Sequence, residues 1–180
     1  MKITWYGHSC FKVESLDGSV VFDSYGDHSV PGYGPLHLQA DLVLCSHEHR
    51  DHGNRDAVEL SGQKTALTID KIHTFHDDVS GAKRGPNIIH VITTEGMRVA
   101  HLGDLGCELT DEQAKILSGV DVLMVPIGGF YTIDTTQALQ IITQLKPRIV
   151  IPMHFRDKTH GYDVIATAEQ FIANTPQIIH

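Results

Sequence analysis

The sequence predicts an α/β chain whose short strands pair into two sheets, with helices on the outside. Three observations carry this expectation. The first half is a series of short alternating or apolar runs separated by turn residues. The second half alternates helix signals with apolar strands. One run, Leu42-Val43-Leu44-Cys45, is continuously apolar, as in a strand covered on both faces.

The elements follow in order. KITWYG, CFKVES and SVVFDSY are the first strands, with LDG as a turn between them. DLVLCS is the next strand. RDAVEL fits a short helix. TALTI and KIHTFH are two further strands, and DDVSGAKRGPN is a polar loop. NIIHVITTEGMRVAHLG is a hairpin turning at Glu95-Gly96. Thr110 and Gln113 then have capping-box spacing, Asp111 and Glu112 occupy the first turn, and Gly119 is the stop. In IDTTQALQIITQLKP, Leu139, Ile142 and Leu145 share a helix face with Ile141 beside them, and Pro147 ends the helix. DVIATAEQFIANTP repeats the pattern, with Asp163 as cap and Ile165, Ala168 and Ile172 on one stripe. VDVLMVPIG and RIVIPMH are strands between these helices. No repeat or low-complexity tract interrupts the chain, so residues 1–180 read as a single domain.

Composition narrows the function classes. The chain carries 14 basic and 22 acidic residues, a net charge of −8, which argues against electrostatic capture of nucleic acid or an anionic membrane. No apolar run approaches the ~20 residues of a spanning helix. The opening MKITWYGHSC goes straight into strand-like sequence without an apolar signal region. The three cysteines, Cys10, Cys45 and Cys107, have no C-x-x-C spacing and sit among apolar or small neighbours. They read as small buried hydrophobes in a reducing compartment, so a cytoplasmic location is expected. The expected partner is a small-molecule substrate, and homo-oligomerisation stays open.

Histidine is the anomaly, with 13 in the chain. His47, His49, Asp51 and His52 fall within six residues, just after the apolar run. Strand residues two apart face the same way, so His47 and His49 leave the strand on one side. Imidazole and carboxylate are preferred ligands for zinc and similar ions. Other candidates also stand at strand ends: His76 after IHTF, Asp104 in AHLGDLG, and His154 after RIVIPM. Gly103 and Gly106 permit a tight turn around Asp104.

Together SHEHRDH, TFH, HLGD and PMH, in that order, resemble the metallo-β-lactamase superfamily. The nearest likeness is to small metal-dependent hydrolases related to L-ascorbate-6-phosphate lactonase. GHS near the N-terminus, FHDD…RGPN and VDVLMVPIGG add to it, and the likeness runs from YGHSCF to PMHF. The H-x-H-x-D-H pattern is specific; GHS alone is weak. The resemblance implies a four-layer αββα sandwich of two mixed sheets with helices on the outer faces, and a binuclear site at one edge. His47, His49 and His76 would hold a first ion; Asp51, His52 and His154 a second; Asp104 would bridge them. His101 and His73 compete with His76 for its position. Two departures stand out. The family often has Asp-Pro after the third strand, whereas Asp23-Ser24 stands here, which implies a looser turn. The chain is also short for the superfamily, with little room for a substrate-selecting lid. Asp104 stands where secreted β-lactamases have cysteine, which argues against antibiotic hydrolysis.

The implied cofactor is two divalent ions, zinc first, with manganese or iron also suited to His/Asp ligation. Ions about 3.5–4 Å apart clamp the attacking and leaving oxygens and lower the pKa of water from about 15.7 to about 7. The implied activity is metal-dependent hydrolysis of an ester, lactone or phosphoester by activated hydroxide. Asp51 would orient the nucleophile and pass its proton on. His8 would lie beside the site as a donor to a carboxylate or a substrate contact, and Tyr131 would donate to an oxyanion. Lys83 and Arg84, and Arg156, Lys158 and His160, would border the cleft and favour an anionic substrate, with Arg84 and Arg156 as its grips. Two alternatives remain: a di-metal redox protein, although His49 stands where di-iron relatives carry glutamate, and a catalytically inactive metal-binding protein on the same fold.

Overall fold

The computed structural model describes residues 1–175. Strand β1 (Lys2–Gly7) pairs antiparallel with β2 (Cys10–Ser15), and β2 with β3 (Gly18–Phe22). Strand β5 (Leu42–Leu44) then adds parallel to β3, closing a four-stranded sheet in the order β1-β2-β3-β5. The second sheet has five strands in the order β11-β10-β9-β8-β7. These are β7 (Thr68–Phe75), β8 (Pro86–Thr94), β9 (Met97–His101), β10 (Val122–Pro126) and β11 (Ile149–Met153). Strands β7, β8 and β9 run antiparallel, and β9, β10 and β11 parallel. A minor parallel ladder joins β4 (Leu38–Ala40) to β6 (Val58–Leu60).

Three apolar layers fix the stacking. Phe11, Val13, Val20, Phe22 and Leu44 of the first sheet pack against Ile92, Val99, Val122 and Met124 of the second. On the outer face of the five-stranded sheet lie helices α1 (Asp111–Leu117), α2 (Thr135–Leu145) and α3 (Glu169–Asn174), through Ala114, Leu117, Ala138, Ile141, Leu145 and Phe171. The outer face of the four-stranded sheet is covered differently. There Tyr25, Val30, Ala40 and Val58 form a separate cluster over Cys10 and Val21, supplied by the 25–37 loop and the β4–β6 ladder. This is the αββα arrangement with one outer layer built from loop and ladder.

Most expected elements are present, and the differences have physical causes. The hairpin turns at Glu95 (φ 50°) and Gly96 (φ 72°), the paired left-handed conformation that matches strand twist. The α1 capping box is formed as expected between Thr110 and Gln113. In α2 the buried stripe is Ala138, Ile141 and Leu145, while Leu139 and Ile142 are only half-buried. That helix stops at Lys146 (φ 50°), because Pro147 disfavours helical backbone before it. The third helix starts only at Glu169, and Asp163 is not its cap. Residues before it are drawn into extended pairing: Arg156 bridges Thr167, and the Ala166 amide donates to the Gly128 carbonyl. RDAVEL gives one 3₁₀ turn (Arg55–Ala57), then β6, where Val58 joins the outer cluster. TALTI and KIHTFH fuse into β7, which pairs without interruption along β8. DLVLCS is an edge strand; its faces are covered, by Leu44 inward and Val43 outward, yet Leu42 and Val43 stay half-buried.

Candidate metal centre

Each candidate ligand leaves the C-terminal end of a strand at one rim of the sandwich. From the four-stranded sheet come His8 after β1, and His47, His49, Asp51 and His52 after β5. From the five-stranded sheet come His76 after β7, Asp104 after β9 and His154 after β11. Parallel strands place their carboxyl ends side by side, and that is where such sheets present ligands.

The side chains form three overlapping groups: His47, His49 and His76; His8, Asp51, His52 and His154; and His47, His52 and Asp104. Within each group, one donor atom from every residue lies within 4.8 Å of the others. Asp104 Oδ2 is the hub, 3.1 Å from His52 Nε2, 3.2 Å from His76 Nε2, 3.3 Å from His154 Nε2 and 3.9 Å from His47 Nε2. All five of these residues are buried. Among the described residues, Nε2 of His47, His52 and His154 and Oδ1 of Asp104 are buried without a hydrogen-bond partner. Buried polar atoms without partners are costly, so a cluster of inward-facing ones is a donor set awaiting a ligand. Imidazole nitrogens around a shared carboxylate fit divalent ions.

Electrostatics set His52 apart from the histidines around it. Burial lowers the pKa of His47 to about 4 and also lowers that of His76, so both are neutral near pH 7. Burial opposes the charged form of His52 too, but the Asp104 and Asp23 carboxylates outweigh it and raise its pKa well above the ordinary value. Burial would raise Asp104 and Asp51, yet the surrounding histidines overcome it and hold both carboxyls well below the usual range.

The residues that support this set escaped the sequence. Asp23 is fully buried, and its Oδ2 lies 2.7 Å from both His52 Nδ1 and the Ser46 hydroxyl. Ser46 Oγ donates to Asp23 and lies 2.9 Å from His47 Nδ1. In the neutral rings these contacts direct the Nδ1 protons of both histidines away from the centre and turn their Nε2 lone pairs inward. The turn at Asp23-Ser24 is therefore not loose. Asp23 (φ 45°) donates its amide to the Leu44 carbonyl, and the Ser24 hydroxyl bonds the Asn54 carbonyl. Asn87, also fully buried, accepts from the Asp104 amide through Oδ1 and donates to Thr74 and Leu102. Asp77 accepts four amides, from Val79, Gly81, Lys83 and Arg84, and so fixes the loop after His76. Close packing needs both glycines at Asp104. A Cβ on Gly103 (φ 58°) would lie 2.4 Å from Ser46 Cβ, and one on Gly106 would lie 2.4 Å from the Asp77 amide.

His101 does not join the cluster. Its Nδ1 accepts from the Gly103 amide and its Nε2 lies 2.9 Å from the Ser9 carbonyl, so both nitrogens are occupied. Its ring stacks on Phe22 in the inter-sheet core. His73 is exposed on β7. His76→Ala is accordingly expected to lower affinity at one metal site by more than about 100-fold, beyond the loss an outer partner produces, and His101→Ala by less. Competition titrations with a chromophoric chelator measure both; a larger loss from His101→Ala would reverse the assignment.

The cavity over the centre has a volume of about 260 Å³ and is lined by His49, Asp51, His76, Arg84, Asp104, Tyr131 and Tyr162. Arg84 Nη2 donates to the Phe130 carbonyl, and its guanidinium lies 5.5 Å from the Tyr131 ring centre. Tyr162, absent from the sequence-based set, places its hydroxyl 3.1 Å from Asp51 Oδ2. Arg156 is not brought to this cavity. Its Nε donates to the Ile165 carbonyl, which ties it to its own loop. Lys83 pairs with Asp78 and His160 with Asp157, both at the surface.

Comparison with known proteins accords with this geometry. The model of the "Beta-lactamase superfamily domain" matches residues 2–154. A UPF0173 metal-dependent hydrolase of Opitutus terrae is 30% identical, over 86% of this chain and 85% of its own length. A UPF0173 protein of Pyrococcus abyssi is 31% identical, over 86% of this chain and 83% of its own. The crystal structure of a candidate Zn-dependent hydrolase of the metallo-β-lactamase superfamily from Thermotoga maritima superposes with a TM-score of 0.77. That protein is 29% identical, with 97% of this chain and 86% of its own covered. The family match thus runs along most of the sequence, and the chain belongs to the β-lactamase superfamily, among its UPF0173 members.

Proposed function

We propose that this protein is a metal-dependent hydrolase with a binuclear centre, acting on an ester, lactone or phosphoester of a small anionic substrate. The observation that carries the reading is the ring of partnerless, inward-facing histidine nitrogens around Asp104 Oδ2. The names of the Opitutus and Thermotoga relatives support it. His47, His49 and His76 would hold one ion, Asp51, His52 and His154 the other, and Asp104 both. When bound, zinc, manganese or iron would supply a Lewis acid and a water of lowered pKa.

The chain's own groups do the rest. Asp51, ionised at the cavity wall, is placed to take the proton of the attacking water and deliver it to the leaving oxygen. The Tyr162 hydroxyl beside Asp51 is kept neutral, because burial and that carboxylate raise its pKa. That hydroxyl lies 2.7 Å from the Ser29 carbonyl as well as 3.1 Å from Asp51 Oδ2, so its single proton serves one of these acceptors at a time. Tyr131 offers a second hydroxyl to an oxyanion. Arg84 has one guanidinium nitrogen committed to Phe130 and the remainder free to grip a carboxylate or phosphate. The cavity size suits a small substrate.

Two measurements test this reading. Elemental analysis should find close to two ions per chain, and a panel of lactones, esters and phosphodiesters should contain a substrate. Against an anionic member, Arg84→Ala should lose about 10–100-fold in kcat/KM, the value of one charged hydrogen bond. A neutral analogue should be spared, and Arg156→Ala should change neither. Equal losses on both substrates would remove Arg84 from recognition.

Metal affinity should also depend on pH at one site more than the other. In the metal-free protein the raised pKa of His52 keeps it protonated at neutral pH, and an ion must displace that proton. The affinity of the second ion should therefore fall by about tenfold per unit as pH is lowered from roughly 8 to 6. His47 and His76 are already neutral there, so the first ion should show a flatter profile. Parallel profiles would place the displaced proton elsewhere.

A further inference from the structure

Among the described residues, His8 takes part in no hydrogen bond through its side chain: it is fully buried, and neither Nδ1 nor Nε2 has a partner there. Leaving both nitrogens of an imidazole unpaired in the interior is costly unless something else engages them. The backbone holds this ring in place at further cost. His8 has φ 51°, in the left-handed region that side chains avoid. Its carbonyl accepts from the Trp5 indole at 3.0 Å and from the His154 amide at 3.3 Å. The β1–β2 turn is thereby tied to the end of β11, and His154 is itself at φ 53°. The two rings lie 4.1 Å apart, and His8 Nε2 is 3.7 Å from Asp51 Oδ2. A ring nitrogen of His8 thus shares one donor cluster with Asp51, His52 and His154.

The geometry points to His8 as a protein ligand of the second ion, which would give that ion five donors, from His8, Asp51, His52, His154 and the shared Asp104. The first ion would have four, from His47, His49, His76 and Asp104. This rests on the metallohydrolase reading and adds an asymmetry to it. The second site is nearly saturated by protein and suits an ion of higher coordination number, such as manganese or iron, over tetrahedral zinc. An ion held by the four donors of the first site would be the one able to add a substrate oxygen, on the side of exposed His49 that faces the cavity.

The test uses metal-free full-length protein titrated with Co²⁺, whose visible absorption is strong in four-coordinate and weak in five- or six-coordinate sites. Wild type should bind two ions, one strongly and one weakly absorbing. His8→Asn, which tolerates the left-handed backbone, should weaken only the weakly absorbing ion, by more than about 100-fold. A loss of about 100-fold or less would make His8 a neighbour of the site and overturn its role as ligand. Should His8→Asn not fold, ¹⁵N-histidine spectra of wild type decide. Protein loaded with diamagnetic ¹¹³Cd²⁺ should show six histidines whose ring ¹⁵N is coupled to the metal, His8 included; five would overturn the proposal. Wild type that takes up no Co²⁺ at all would overturn the metallohydrolase reading itself, and His8 with it.

Discussion

On the binuclear reading proposed above, Asp104→Ala is expected to lose both metal ions, with the metal-to-protein ratio falling from near two to near zero and hydrolysis falling to background. The carboxylate stands within 3.3 Å of His52, His76 and His154 and carries negative charge into the middle of the cluster. Without it, two divalent cations would face each other with histidine as almost the only ligand, and their repulsion at such separations is large in a buried site. Affinity at each site should drop by more than about 100-fold, beyond the range of an outer partner. Elemental analysis after gel filtration and the Co²⁺ titration read this directly. If one ion remained with wild-type affinity, Asp104 would serve a single site and not join two.

Asp23→Asn is the second large effect, and it acts without touching an ion. Asparagine keeps the shape and tolerates the left-handed backbone at this position. Its amide can accept from the Ser46 amide as before, but then turns NH₂ toward His52 Nδ1 and the Ser46 hydroxyl. His52 must answer with its Nδ1 lone pair, which moves its proton to Nε2 and closes that nitrogen to metal. Affinity for the second ion should fall by about 10–100-fold with the fold retained. Asp23→Ala should instead unfold readily. It breaks a fully buried charged network, a loss of roughly 3–5 kcal/mol, or about 6–20 °C in Tm for a chain of this size. Thermal melts of the metal-free variants separate the two. An Asp23→Asn protein with unchanged second-ion affinity would show that His52 is oriented by other means.

The inner residues of the candidate centre were legible because their signals are local. H-x-H-x-D-H stands directly after an apolar strand, and His76, Asp104 and His154 each follow one. What supports them was not legible, since its meaning depends on distant pairing. Asp23 ends the apolar run GSVVF, the same signal that marked Asp104, but its partner His52 lies 29 residues away. Tyr162 meets Asp51 across 111 residues. Asn87 resembles an ordinary loop residue until β8 and β9 pair. The fold shows the same division. Capping boxes and the Glu95-Gly96 hairpin are set by neighbours in sequence and could be read. The late start of α3 is set by Gly128 and Arg156, which compete for the backbone of residues 166 and 167, and no local pattern reveals that. Arg156 itself was placed by its nearness to His154 in sequence, whereas its Nε is used by Ile165.

Each donor group draws on both sheets: His47 and His49 with His76, and His8, Asp51 and His52 with His154. An ion bound in either group is therefore a cross-link between the two halves of the sandwich at the rim where their apolar contact ends. In such an arrangement the cofactor is part of the scaffold. At a free ion concentration of 100 times Kd, one ion adds about 2.7 kcal/mol to stability. Metal supply would then govern how long the folded chain persists as well as whether it turns over substrate.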